Sequence, residues 1–238
     1  MSAERRSLSI VIPAYNEAGN IIATLENVTA ALAPLGFDAE ILVVDDGSRD
    51  GTGALVTAHA HRFPAMRLLV NERNLGFGAT YRRGVDAAAR DHIVMVHGDN
   101  AWGADTLRPF FARTGDADII VGYTRDMWRV RPLGRTLVSK TFTSLVNVIT
   151  GHRLKYYNGL QIHRAEVLKS LAIQSTGYGF QAEVLVKALR GGRTFVEVPM
   201  DLREREQGES KAFRLKNAID VVQTLKRLHA VAAEGPTR

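Results

Sequence analysis

The sequence predicts a single α/β domain with a mostly parallel central sheet and helices on both faces. Short apolar runs rich in β-branched residues alternate with helical stretches, which is the rhythm of a doubly wound sheet. Polar clusters follow three of those runs directly, where an open α/β sheet binds its ligands. The 238 residues, of which 45% are hydrophobic and 24% charged, suit one folded core and neither a disordered nor a fibrous chain.

The strands are expected at Leu8–Ile12, Glu40–Val44, Met66–Val70, His92–Val96 and Asp118–Val121, each short and apolar enough to be buried on both faces. Helices are expected between them at Asn20–Leu35, Thr52–Phe63, Gly78–Ala89 and Ala104–Phe111, bounded by Gly, Asn, Asp or Pro. After Val121 the rhythm breaks. An Arg-rich segment, Arg125–Arg135, leads to a helix over Thr136–Thr150 and an irregular stretch through Tyr157–Gly159. A helix over Phe180–Arg190, a strand over Thr194–Val198, a polar loop to Lys211 and a last helix to His229 complete the domain. Residues 8–229 then form one domain, with a nucleotide-binding half at 8–121 and an acceptor half at 122–229, between tails at 1–7 and 230–238.

The absence of cysteine excludes disulfides, zinc–thiolate sites and cysteine nucleophiles, and fits a cytoplasmic protein. No run approaches the roughly 18 apolar residues of a spanning helix, and Met1–Arg6 lead into a strand without a signal-peptide core. A net charge of +6 favours anionic partners: phosphates, nucleic acid or an acidic lipid surface. Nucleic acid ranks low, because single-strand binding needs aromatics among the basic residues and aromatics are only 7% of the chain.

The polar clusters at strand ends are Pro13-Ala14-Tyr15-Asn16-Glu17, then Asp45-Asp46-Gly47-Ser48-Arg49-Asp50-Gly51-Thr52, then His97-Gly98-Asp99-Asn100. Asp50 reads as a helix cap before Thr52. Adjacent carboxylates at Asp45 and Asp46 repel each other, so hydrogen bonds or a cation must relieve them. The Tyr15 ring either packs or lines a nucleoside, and an amphipathic ring beside a carboxylate favours the nucleoside. Gly76 and Gly78 match only a fragment of a dinucleotide fingerprint, after the wrong strand.

Residues Ile12–Glu17, Asp45-Asp46-Gly47-Ser48 and Asn74-Leu75-Gly76-Phe77-Gly78-Ala79 together resemble the family 2 glycosyltransferases, and within them the dolichyl or polyprenyl phosphate mannosyl- and glucosyltransferase branch. The similarity covers roughly residues 8–215. It implies the GT-A fold, a UDP- or GDP-linked sugar donor, a Mg2+ or Mn2+ ion and inversion at the anomeric carbon. It further implies that Pro13, Tyr15, Glu17 and Asp45 line the nucleoside pocket, that Asp46 supports that strand end, and that Gly78 brings backbone close to the donor.

His97-Gly98-Asp99 stands where the family carries Asp-x-Asp, so Asp99 is the expected metal ligand. His97 either joins it, binding the metal, a water or a phosphate, or is a satisfied strand-end histidine. Asn100 could add a carbonyl oxygen or cap the helix before Ala104. Arg129, Arg131 and Arg135 suit an acceptor phosphate better than a solvated loop face, since guanidinium groups grip phosphate in a fork. The segment Arg205-Glu206-Gln207-Gly208-Glu209-Ser210-Lys211 again resembles the lipid-phosphate branch. Arg205 and Lys211 would neutralise the leaving diphosphate.

Hydroxyl-specific relatives place a base at the start of the helix that here begins Phe180-Gln181-Ala182-Glu183. Gln181 cannot act as one, and a phosphate acceptor needs none. This favours a polyprenyl phosphate, with Glu183 as the fallback base for a hydroxyl. The segment Lys155-Tyr156-Tyr157-Asn158-Gly159 departs from the branch's Asp-x-Thr-Ser-Gly, which keeps a soluble hydroxyl acceptor open, as well as a non-catalytic nucleotide-sugar or nucleic-acid binder.

Val138, Phe142, Leu145 and Ile149 recur at helical spacing and are expected to pack on the core. The last helix, with Leu215, Ile219 and Val222 beside Arg214, Lys216, Lys226 and Arg227, is the stronger candidate for peripheral membrane contact.

Overall fold

A computed structural model describes residues 6–130, 133–175, 177, 179–201 and 223–231, apart from the side chains of Val130 and Arg135. Seven strands form one sheet: β1 (Ser7–Ala14), β2 (Asp38–Asp45), β3 (Met66–Val70), β4 (His92–Met95), β5 (Ile119–Thr124), β6 (Gln161–Arg164) and β7 (Phe195–Met200). Their order is β3-β2-β1-β4-β6-β5-β7. All neighbours are parallel except β4–β6 and β5–β6. Every strand but β6 therefore ends on the same edge of the sheet, and β6 begins there.

The helices are α1 (Ile21–Leu32), α2 (Thr52–Ala58), α3 (Phe77–Ala87), α4 (Ala104–Phe111), α5 (Met127–Val130), α6 (Leu133–Thr150), α7 (Ala165–Ser170) and α8 (Phe180–Arg190), with 223–231 also helical. Strand residues alternate between two cores, as a pleat of period two requires. Ile10, Ile12, Val43 and Val94 meet Leu25 and Val28 of α1 and Leu107 and Phe110 of α4. Val11, Leu42, Val44 and Ile93 meet Tyr81 and Val85 of α3, Leu168 of α7 and Phe180 of α8. Residues Ile119 and Val121 of β5 join Phe142 and Val146 of α6 and Leu185 of α8 in a third cluster.

Strand β6 and helix α7 were not foreseen. Gln-Ile-His-Arg has no apolar run, and only its insertion between β4 and β5 buries it. Helix α6 also turns differently from the expected packing. Phe142 and Val146 are buried, but Val138 and Leu145 face outward at 56% and 44% exposure. The buried face includes Thr136 and Thr143 as well, while Phe142 and Ile149 of the expected stripe do pack on the core, so periodicity found the helix and half of its inner stripe. Most of the last helix, from 211 to 222, lies outside the described residues.

Candidate active site

The three polar clusters close into one ring at the carboxyl edge of the sheet. The end of β1 reaches the β2 turn through four hydrogen bonds. The backbone N–H groups of Asn16, Glu17 and Ala18 donate to Ser48 Oγ, Thr52 Oγ1 and Asp50 Oδ2, each at 2.9 Å, and Arg49 N–H donates back to Asn16 Oδ1 at 2.9 Å. Asn16 itself sits at φ 55°, a left-handed backbone that asparagine tolerates. The β4 cluster presses on the same strand end. A Cβ on Gly98 would lie 3.3 Å from the Pro13 carbonyl oxygen and 3.6 Å from Glu17 Cγ. Thr24 of α1 donates to the Gly98 carbonyl at 3.0 Å.

Asp46 carries the ring onward to the glycine-bearing loop before α3. Its Oδ1 accepts from Asn71 Nδ2 at 2.7 Å and from Leu75 N–H at 2.9 Å, and its Oδ2 accepts from Gly76 N–H at 3.0 Å. Asp45 Oδ1 accepts from Ser48 N–H at 3.0 Å. Hydrogen bonds from the protein thus answer the repulsion between the two carboxylates, and both residues are almost covered, at 4% and 3% exposure. Gly47, which follows them, has φ 68°, and a Cβ there would lie 2.7 Å from the Arg73 carbonyl carbon, so no larger residue fits this turn. The loop then reaches the β4 cluster, where the Phe77 and His97 rings stack at 5.6 Å.

Within this ring Tyr15 exposes 40% of its surface, while Pro13 and Gly78 are buried. Glu17 receives Asn20 Nδ2 on its carboxylate at 2.9 Å, and its carbonyl accepts from the N–H groups of Asn20 and Ile21, which starts α1. Asp50 stands one residue before the N-cap of α2, Gly51, and takes Thr52 N–H at 3.0 Å, so it closes the turn ahead of the helix and is not its N-cap. Burial raises its pKa, and the bonds from Thr52 and Ala18 outweigh this, so the carboxyl lies below its ordinary value.

Asp99 is partly exposed at the end of β4, with Oδ1 3.3 Å from Ala101 N–H. Among the described residues no three His, Asp or Glu side chains gather as a metal cage. One hard oxygen donor at a ligand-facing strand end still fits a divalent ion that takes its other ligands from a diphosphate and water. Asn100 does not itself cap α4. Its Oδ1 accepts from Asn27 Nδ2 at 2.8 Å, and it is Asn27 Oδ1 that accepts from Ala104 N–H, at 3.1 Å, at the head of α4. A cap delivered from α1 has no local signal in sequence.

In the second half of the chain, Gln181 Nε2 donates to the Gly159 carbonyl at 2.7 Å, and Gly159 packs so closely on Gly122 that a Cβ would overlap its carbonyl oxygen. Gln161 Nε2 donates to the Tyr157 carbonyl at 2.6 Å, and its Oε1 lies 3.0 Å from His163 Nε2. Tyr157 O–H donates to Asn147 Oδ1 at 2.8 Å. Gln181, Gln161 and Asn147 therefore hold the 157–159 segment from three elements. Burial pushes the His163 pKa down to about 4.

The fallback role for Glu183 is corrected by its surroundings. The side chain is 1% exposed, and its oxygens accept from Gln174 N–H at 3.0 Å, Ser175 N–H at 2.8 Å and Lys187 Nζ at 2.6 Å. Burial raises its pKa, and Lys187, Ser175 and Gln174 lower it further than that, leaving a weak, engaged base. It anchors the 174–175 segment.

Arg129 is exposed on α5, and Arg125 pairs with Asp201 at 3.6 Å. Arg131, Arg205 and Lys211 lie outside the described residues, as does the side chain of Arg135. Sequence reasoning passed over Asn71 and gave Asn16, though inside the first cluster, no role. Asn71 directly follows the apolar run of β3 and is buried at 3% exposure, with Asp46 and Arg83 as partners. The rule that singled out the other strand ends would have found it.

Comparison with known proteins agrees with this arrangement. The sequence model described as "Glycosyl transferase family 2" matches residues 9–172. The chain is 30% identical over 215 residues to an undecaprenyl-phosphate mannosyltransferase of Micrococcus luteus, covering 84% of this chain and 85% of that one. It is 32% identical over 217 residues to a polyprenol monophosphomannose synthase of Mycolicibacterium smegmatis, covering 85% and 79%. Among solved structures it resembles mannosyl-3-phosphoglycerate synthase from Rubrobacter xylanophilus, with a TM-score of 0.69 at 16% identity over 93% of this chain and 73% of that one. It also resembles glucosyl-3-phosphoglycerate synthase from Mycobacterium tuberculosis in complex with Mn2+, UDP-glucose and phosphoglyceric acid, with a TM-score of 0.67 at 21% identity over 94% and 80%. A ring of strand-end residues on a GT-A sheet, in a chain so matched, leads to one assignment: the protein belongs to glycosyl transferase family 2 and is a hexosyltransferase.

Proposed function

We propose that this hexosyltransferase moves a sugar from a UDP- or GDP-linked donor to a polyprenyl phosphate, with inversion at the anomeric carbon. The observation that carries this reading is the engagement of Glu183. With Gln181 at the head of α8 unable to take a proton and Glu183 held by three donors, the acceptor best served is one that arrives ionised. The printed activities of the Micrococcus and Mycolicibacterium relatives support the same acceptor class.

In this reading Pro13, Tyr15, Glu17 and Asp45 receive the nucleoside, with Tyr15 offering its exposed ring. Asp46 fixes the loop that carries Gly76 and Gly78 against the donor. A divalent magnesium or manganese ion, held by Asp99 with His97 beside it, would neutralise charge on the diphosphate. An acceptor phosphate oxygen forms the bond to the anomeric carbon while the bond to the diphosphate breaks, and no proton moves. Arg205 and Lys211 meet the growing negative charge of the leaving group. Arg129, Arg131 and Arg135 hold the acceptor phosphate, and Gln181 positions the 157–159 segment beside it. A basic chain acting on such an acceptor works at an anionic membrane surface. Among the described residues no helix is long and apolar enough to cross one.

The test is incubation with labelled UDP- or GDP-sugar and either a polyprenyl phosphate or the matching free alcohol, followed by lipid extraction. Label on the phosphate alone, lost in Arg131→Ala, is expected. Transfer to a water-soluble hydroxyl, with neither lipid labelled, would overturn the assignment.

A further inference from the structure

Asn158 carries a buried oxygen that the surrounding fold leaves without a donor. The residue is half-buried, and its Oδ1 is shielded from solvent yet meets no hydrogen-bond partner among the described residues. Such an acceptor costs free energy until a donor reaches it from elsewhere. Thr124, the last residue of β5, is buried too, and among the described residues its Oγ1 also has no partner.

The backbone on either side of Asn158 is, by contrast, held in place. Gln161 Nε2 donates to the Tyr157 carbonyl at 2.6 Å and Gln181 Nε2 to the Gly159 carbonyl at 2.7 Å, and both glutamines are buried. At the start of the segment Lys155 N–H donates to Glu197 of β7 at 2.7 Å, and Lys155 Nζ lies 4.3 Å from the centre of the Tyr123 ring, next to Thr124. A loose loop would turn to satisfy its own oxygen. A side chain whose neighbours are fixed and whose acceptor stays open is arranged to meet a ligand.

Topology says which part of the ligand. Strand β6 begins three residues after Asn158, and its Ile162 pairs with Val94 of β4 on one side and Ile120 of β5 on the other. Asn158 thus enters the sheet at the ligand edge between the strand that leads to Asp99 and the strand that ends at Thr124. Along that edge the order is β2-β1-β4-β6-β5, at about 4.8 Å per strand. A nucleoside received at β2 and β1 and a diphosphate at Asp99 after β4 bring the next part of the donor, the sugar, over β6 and β5. The chemistry agrees, because Oδ1 can only accept. Neither the diphosphate nor an ionised phosphate acceptor has a proton to give it, whereas a hexose carries hydroxyls.

We propose that Asn158 Oδ1 accepts a hydrogen bond from a hydroxyl of the transferred sugar, with Thr124 Oγ1 as a second contact, and that the two select the hexose the enzyme moves. This deepens the transferase reading and rests on it for the placement of nucleoside and diphosphate and for an acceptor that arrives ionised.

The test is isothermal titration, in excess manganese, of UDP-glucose against UDP and of GDP-mannose against GDP, in the parent, Asn158→Ala and Thr124→Val. The sugar nucleotide that the parent binds is then offered with each sugar hydroxyl removed in turn. Asn158→Ala should weaken the sugar nucleotide about three- to tenfold and leave the bare nucleotide within about twofold, and the retained nucleotide binding shows that the variant is folded. One deoxy donor should cost the parent as much and cost Asn158→Ala nothing further, as a lost pair requires. Asn158→Asp, which keeps an acceptor oxygen, should keep the parent's ratio of sugar nucleotide to nucleotide affinity. A ratio equal to the parent's in both Asn158→Ala and Thr124→Val overturns the inference, as does a deoxy series that costs the parent and Asn158→Ala alike. A rise confined to the acceptor KM, with sugar binding unchanged, gives Asn158 to an acceptor hydroxyl and overturns it too. A ratio lost in the variants, while the parent labels no polyprenyl phosphate, supports the sugar contact and removes the acceptor assignment.

Discussion

Replacing Asp46 by asparagine tests whether the donor loop is held by the protein itself. The carboxylate accepts three hydrogen bonds, from Asn71 Nδ2 and from the backbone of Leu75 and Gly76. Asparagine keeps one oxygen, which can serve the Asn71 and Leu75 donors, but its amide nitrogen then confronts the Gly76 N–H. A hydrogen bond to a charged group contributes about 1.5–3 kcal/mol and a neutral one about 0.5–1.5. One bond is lost and two lose their charge assistance, so Asp46→Asn should cost roughly 3 kcal/mol. Against a typical total of about 5–15 kcal/mol the variant still folds. Urea unfolding followed by fluorescence should show a lower midpoint with an unchanged slope. The KM for the sugar nucleotide should rise because the Gly76–Gly78 backbone loses its anchor. The stability loss must be the same in EDTA as in excess manganese, since the partners are N–H groups. A loss under about 0.5 kcal/mol, or one present only with divalent metal, would refute the assignment of Asp46 as the loop's anchor.

Asp99→Ala should abolish manganese-dependent donor binding by isothermal titration, with a smaller effect from His97→Ala; the reverse order would make His97 the ligand. Glu183→Gln should lower stability at neutral pH, and the gap from the parent should close as pH falls below 4.5, because the folded-state pKa lies below that ordinary value and its contribution is lost on protonation. Its turnover at a temperature where it stays folded should remain within about fivefold of the parent, whereas loss of a general base costs about 10²–10⁴. The His163 pKa falls from 6.5 to about 4 on folding, so the parent should lose stability from pH 6.5 down to about 4, as the unfolded chain takes the proton first. His163→Gln should flatten that limb by on the order of 3 kcal/mol, as read from urea midpoints across pH. Gly47→Ala, at φ 68° against Arg73, should lower stability by at least about 1 kcal/mol and raise the donor KM; a variant with the parent's midpoint would refute the clash.

The alternation of apolar runs with helical stretches made the parallel part of the sheet legible, because strands buried on both faces must be apolar throughout and turn residues must punctuate them. Five strands and four helices before Thr124 stand at the expected places, within a few residues. The same logic brought out Asp45, Asp46 and Asp99, since a polar residue after a buried strand has one edge of the sheet to occupy. Local pattern could not reveal β6, whose Gln-Ile-His-Arg is buried only because β4 and β5 flank it. Nor could it reveal what occupies a polar side chain. Asp46 binds backbone thirty residues away in sequence, Asn27 caps a helix that begins at Ala104, and Glu183 is held by a segment that precedes its own helix. Helical spacing likewise identified α6 and named one stripe for the core, of which Phe142 and Ile149 pack inward while Val138 and Leu145 do not. Spacing fixes which residues share a side, whereas the packing of β5 and α8 decides which side loses its water, and that decision left Leu137 and Val148 outside.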